Sequence, residues 1–182
     1  LYINRPDENY QGLFGYSSYG TQIINLGLID VDITGKDYVG GLVGYTSSNI
    51  NSCYCTGKVT GNNYVGGFMG FLSTSADIRD NYTRCTVTGN SKVGGFVGDY
   101  AERHIYYCYS AGAVYGTSEV GGFAGSSTNT LIIESIVFWD IEASGQTSSI
   151  GGKGLTTEEM KDYYNYPPAY FDFKDETAKG TN

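Results

Sequence analysis

The string "YVGGLVGY", residues 38–45, sets two adjacent glycines inside what otherwise reads as a buried β-strand. Glycine weakens a strand interior, so the pair demands a structural reason. Nearly the same string returns as "YVGGFMGF" (64–71), "KVGGFVGD" (92–99) and "EVGGFAGS" (119–126). The pairs Gly40-Gly41, Gly66-Gly67, Gly94-Gly95 and Gly121-Gly122 are therefore spaced by 26, 28 and 27 residues. One period earlier, "YQGLFGY" is a degenerate copy that sets Gly12, Leu13 and Gly15 where Gly41, Leu42 and Gly44 later stand. A period in this range marks stacked supersecondary units rather than a globular core. We read an all-β chain, a single β-solenoid of about five coils.

The segments between glycine pairs repeat as well. "IINLGLIDVDITG" (23–35), "INSCYCTGKVTG" (50–61), "IRDNYTRCTVTG" (78–89) and "IYYCYSAGAVYG" (105–116) align on the period. One column reads Ile24, Ile50, Ile78, Ile105 and another Ile33, Val59, Val87, Val114. Counting back by twos gives Val31, Gly57, Cys85, Gly112, then Ile29, Cys55, Thr83, Ser110, then Gly27, Cys53, Asn81, Cys108. Small residues at period two suit the inward face of a strand in a narrow coil. The opposite parity holds Leu28, Tyr54, Tyr82 and Tyr109 beside Asp30, Asp32, Lys58 and Arg84. We read this parity as outward, the alternative being that the aromatic column is the buried one. Each coil is thus expected to have two strands, joined by Ser/Thr/Asn-rich corners.

This register gives the glycine pairs a role. Val39, Val65, Val93 and Val120 form one apolar column, and Leu42, Phe68, Phe96 and Phe123 another three positions on. On a straight strand the two columns would face opposite sides. The pair is expected to supply a bulge or corner with positive φ, and to let neighbouring coils approach closely. A phosphate cradle would need a following helix or a Gly-Lys-Ser/Thr string, and neither is present.

The "VGGLVG" strings and their "GLFG" variant, interleaved with strings ending "KVTG", "TVTG" and "AVYG", resemble the GLUG motif repeats of bacterial and archaeal surface and secreted proteins. The tail "FWDIEASGQTSSIGGKGLTTEEM" (138–160) resembles the segment that closes such arrays. The resemblance implies a β-solenoid region of an extracellular or cell-surface protein, adhesin-like or set beside peptidases, with no agreed catalytic residues.

Residues 1–138 read as the repeat region and 139–182 as a capping segment. "TTEEM" fits a capping box with Thr156 as N-cap and Glu159 at N3, which predicts one short helix over about 157–164. Trp139, Met160, Tyr163 and Tyr164 are expected to cover the last coil, with "YPPAYFDF" (166–173) extended beyond them. "LYINRP" begins as though within a strand, which reads either as a piece of a larger polypeptide or as an open edge that finds a partner.

Composition narrows the function classes. The net charge of −8 lacks the clustered Lys and Arg that nucleic acid requires. No stretch approaches the length of a membrane span. Four cysteines allow two disulfides in three connectivities, but their inward columns favour buried thiols. His104 and Cys108 lie four residues apart, one at a corner and one inward, a poor nucleophile and base pair. Asp30 and Asp32 are weak candidates for a metal, with nothing supplying further ligands, and no cofactor is expected. Asn81-Tyr82-Thr83 matches a glycosylation sequon on an inward residue.

The expectation is a non-catalytic surface module. Tyr54, Tyr82 and Tyr109 are its candidate contact residues, and its partners would be glycans, host proteins, other copies of the chain or other parts of a larger surface protein. Assembly through open coil ends into a fibre or sheath is the alternative. A role as the non-catalytic part of a secreted peptidase or polysaccharide-active enzyme is the third.

Overall fold

The structure is a computed structural model that describes residues 1–73, 76–101, 104–128 and 136–166. The predicted "YPPAYFDF" segment falls outside them after Tyr166. The second coil shows the path: Asp37–Gly40, Val43–Thr46, Asn49–Asn51 and Tyr54–Thr60 are four successive strands, after which the next coil begins. Stacking the coils gives four parallel sheets, each pairing a strand with its equivalent one period away. The solenoid is as predicted, but the second and third coils have four strands each rather than two. The glycine-pair segment divides at Gly41-Leu42, and the Ile corner forms a short strand of its own.

The inward columns follow the predicted register over most of the chain. Val39 pairs with Val65, Val65 with Val93, and Val93 with Val120. Ile33, Val59, Val87 and Val114 are buried in line across the interior. Leu42, Phe68, Phe96 and Phe123 are fully buried, the rings stacked with centroids 4.8 and 4.7 Å apart. Ring stacking at coil spacing adds aromatic contact to the apolar burial that holds the coils together.

Positive φ does not fall on the glycine pairs. It falls on Tyr38, Tyr64, Lys92 and Glu119, the residues before the valine column, at φ of 59, 56, 56 and 50°. A second left-handed column, Asn25, Ser52, Asp80 and Tyr107, turns the corner into the long strand. The glycines serve close approach instead. A Cβ on Gly66 would run into the Met69 carbonyl and lie 2.7 Å from the Phe96 carbonyl oxygen and 2.8 Å from the Gly98 nitrogen. Two sheets here meet backbone to backbone, and only glycine leaves room.

The first coil departs from the predicted columns. Ile23, not Ile24, pairs with Ile50, and Ile24 is exposed. Gly27 pairs with Tyr54 and Leu28 with Cys55, after which an irregularity between Leu28 and Val31 restores the register. Asp30 sits in this bulge with φ 51°. One extra residue flips every side chain before it. Leu28 therefore packs on the core, and Ile29, expected inward, is 64% exposed.

All four cysteines are free and buried. The long sheet continues past the repeats through Val137–Asp140 and Lys153–Leu155. Trp139 is buried beneath Gly122, where any side chain would strike its indole. A short helix α1, Ile141–Ser144, was not anticipated; Asp140 caps it through the Ala143 N–H at 2.8 Å. The anticipated helix α2, Thr157–Lys161, is shorter than expected and carries the full capping box of Thr156 and Glu159. Met160 packs on Phe138, Leu155 and Tyr166, but Tyr164, expected to cover the last coil, is 79% exposed. The Tyr163 side chain lies outside the description.

Candidate interaction surface

Tyr54, Tyr82 and Tyr109 form the predicted ladder, with centroids 5.0 Å apart at both steps and planes within 4° of parallel. The rings turn their faces mainly to one another. At one end the Tyr54 ring fills the space that Gly27 leaves open, and at the other Tyr109 packs on the Phe138, Leu155 and Tyr166 cluster. Arg84 sits over Tyr82 at 6.0 Å. Burial pushes the phenols of Tyr82 and Tyr109 up. The column presents ring edges and hydroxyls rather than free faces.

A second aromatic surface, missed in the sequence, flanks the glycine pairs. Tyr10, Tyr38 and Tyr64 form one row, with centroids 4.9 and 4.4 Å apart and planes 12° and 8° from parallel. Tyr16, Tyr45 and Phe71 form another at 5.0 and 5.1 Å. Between rows the rings meet at 63–77° with centroids 6.0–6.2 Å apart. The signal was present in the strings themselves: the residue before each Val and the last residue of each "GLVGY"-type string are the two columns. In the first three coils all six positions are aromatic.

In the fourth coil the same two positions hold Lys92 and Asp99. The Lys92 ammonium lies 4.7 Å from the Tyr64 centroid and 2.7 Å from Asp99 Oδ2. Burial opposes the Lys92 charge, but the Asp99 hydrogen bond and carboxylate outweigh it and raise the pKa. Asp99 is fully buried, and its Oδ1 has no hydrogen-bond partner among the described residues. In the fifth coil Glu119 accepts from Ser91 and Ser126, at 3.0 and 3.1 Å. Beside the Tyr row runs a polar ladder in which Asp37 Oδ1 accepts from Asn63 Nδ2 at 2.9 Å and Asn62 Nδ2 at 3.3 Å.

The other sequence candidates are not gathered into a site. Asp30 is exposed in the bulge, and Asp32 is exposed between Tyr2 and Lys58 on the long sheet. Among the described residues no three His, Cys, Asp or Glu side chains come together to hold a metal ion. Cys108 is fully buried and its thiol is pushed up to about 12 by burial, while His104 is exposed at the corner. Asn81 is buried, accepting from Cys53 N and donating to the Ile50 carbonyl, both at 2.8 Å, so its amide is committed to the core.

No family model matches the chain, and no curated protein matches it in sequence. Among solved structures it is similar to that of a "putative immunoglobulin A1 protease" from Bacteroides ovatus, with a TM-score of 0.58 and 20% sequence identity over 82% of this chain and 68% of that one. At that identity the likeness bears on the fold, and the fold it supports is the β-solenoid.

Proposed function

We propose that this chain is a non-catalytic interaction module of an extracellular or cell-surface protein of the GLUG-repeat kind, acting through its aromatic face. The observation that carries the reading is the double row of Tyr10, Tyr38, Tyr64, Tyr16, Tyr45 and Phe71, part-exposed on a chain whose thiols are buried. A solvated row of large aromatics is costly to keep unless it is used. Its rings repeat at coil spacing, which suits a ligand that is itself extended and repetitive.

The test is to challenge the immobilised chain with host and bacterial surface components, alongside peptidase and polysaccharide-cleavage assays. Binding lost in a Tyr38→Ala/Phe71→Ala variant of unchanged circular dichroism is the expected result. Turnover abolished by changing one polar residue would overturn it. The protease description of the Bacteroides ovatus neighbour adds a related reading, in which the coil is the non-catalytic part of a secreted peptidase.

A specific observation favours self-assembly as a second reading. Leu13 and Phe14 are exposed on the first coil, whereas their equivalents one coil on, Leu42 and Val43, are fully buried by their neighbours. The opposite end is covered by Lys153–Leu155 and α2. Contact between two copies through this coil would close a pair rather than extend a fibre. Light scattering distinguishes the two.

A further inference from the structure

We propose that the aromatic face binds a neutral polysaccharide strand laid along the coil axis, an inference that rests on the interaction-module reading above. The rings within each row repeat at 4.4–5.1 Å, yet the rows are turned 63–77° from one another. If one row stood square to the axis, rings of the other would be nearly coplanar and would overlap. Both rows therefore lean, in opposite senses, so each ring is offset from its row neighbours and leaves part of a face uncovered by them. This is the difference from the Tyr54 ladder, whose rings have no second row to lean against and are covered at both ends.

The polar groups around these rings select the ligand. A sugar ring presents an apolar C–H face and a rim of hydroxyls that both donate and accept. The face offers rings for the first and, for the second, the Asp37, Asn62 and Asn63 ladder on one side and Lys92, Glu119, Ser91 and Ser126 at one end. Carboxylates are acceptors only and need donors. A proline-rich peptide, the other common guest of aromatic surfaces, has no proline N–H to give. Charge sets the class of glycan. The ammonium beside the last rings, Lys92, is already paired with Asp99, and the chain carries a net −8, so a polyanionic polysaccharide is repelled.

The test is affinity electrophoresis of the full chain through gels containing neutral polysaccharides (a β-glucan, a xylan, a mannan), an anionic one (polygalacturonate) and none, with a proline-rich peptide titrated separately. The expected result is retardation by at least one neutral polymer, reversed by its oligosaccharide. Tyr38→Ala and Phe71→Ala should each weaken it tenfold or more, Tyr38→Phe should retain it, and Tyr115→Ala, on another face, should leave it unchanged. Retardation that survives both Ala changes in folded protein, or that only the anionic polymer produces, overturns the proposal. Peptide or protein binding lost on Tyr38→Ala, without glycan binding, overturns it while leaving the interaction module standing. Absence of any face-dependent binding overturns both.

Discussion

The rings of Tyr38 and Tyr64 lie 4.4 Å apart and 8° from parallel, and both residues hold left-handed backbone at φ 59° and 56°. Bulky residues seldom adopt that conformation. Repetition sustains it, since each left-handed residue is braced by the ring of the coil above and below.

The stack makes an electrostatic prediction. Burial first, and then the neighbouring Tyr64 phenol, push the Tyr38 pKa from 10.0 to about 12. The folded value lies above the unfolded one, so the stabilisation is complete below pH 10 and is lost as pH rises through 12. Absorbance titration at about 295 nm, where phenolate absorbs, should show a phenol ionising near pH 12 that disappears in Tyr38→Phe, and melting temperature should fall across the same window. A titration complete by about pH 11 would contradict the stacked geometry.

Close approach, rather than backbone freedom, predicts which glycines matter. Gly66→Ala places a methyl group against backbone atoms that cannot retreat, and should cost roughly 2–4 kcal/mol. Gly20, at φ 85° with open space around it, should cost only about 1 kcal/mol as Gly20→Ala, from strain alone. Urea denaturation of the pair checks the order; equal losses would mean that the sheets can separate to accommodate the methyl.

The thiols should remain thiols. Cys55 and Cys85 bring their Sγ atoms to 3.5 Å, but the register pairs Cys55 with Thr83 and Cys85 with Gly57. The two are diagonal neighbours, whose Cα atoms in sheets lie about 7–8 Å apart, beyond the usual reach of a disulfide. The Cys85 contact and burial hold the Cys55 thiol far above its ordinary value. Ellman's reagent should therefore find four thiols after denaturation and almost none before it, even after exposure to oxidised glutathione. A bridged Cys55 and Cys85 peptide in a digest would show that the coils shift.

The period was legible because identical packing demands recur in each coil: Val39, Leu42 and Ile33 reappear as Val65, Phe68 and Val59 in the same order. What escaped were features without a residue signature. Left-handed turns fall on Tyr38, Lys92 and Glu119, types that report nothing about φ, while the visible glycines drew the expectation to themselves. The first coil misled because the bulge at Asp30 shifts the face of Leu28 and Ile24, and one inserted residue looks like ordinary variation. The aromatic face was overlooked because its two columns flank the glycine pair on separate strands, and only the fold at Gly41-Leu42 brings them side by side.

Lys92 and Asp99 occupy the two columns that hold Tyr64 and Phe71 one coil earlier, so the chain contains its own experiment on a buried ion pair. Lys92 already has the left-handed φ of 56° that Tyr64 shares, so a tyrosine fits there without new strain. Lys92→Tyr alone deprives the fully buried Asp99 of its ammonium and should cost about 3–5 kcal/mol, as breaking one side of a buried pair does. Asp99→Phe alone lets the ammonium move to solvent from its 22% exposed position, and should cost less. The double variant extends both aromatic rows by one coil, with a phenol taking the place of the ammonium over Tyr64 and a second ring laid on Phe71. Exchange of a buried ion pair for packed apolar groups is often neutral or stabilising by about 1–4 kcal/mol. Denaturation of the four proteins in a double-mutant cycle should therefore give a coupling at least as large as the single Lys92→Tyr loss. Additive losses would mean that the fourth coil lacks the space for the rings, and that Lys92 and Asp99 close the face by shape as well as by charge.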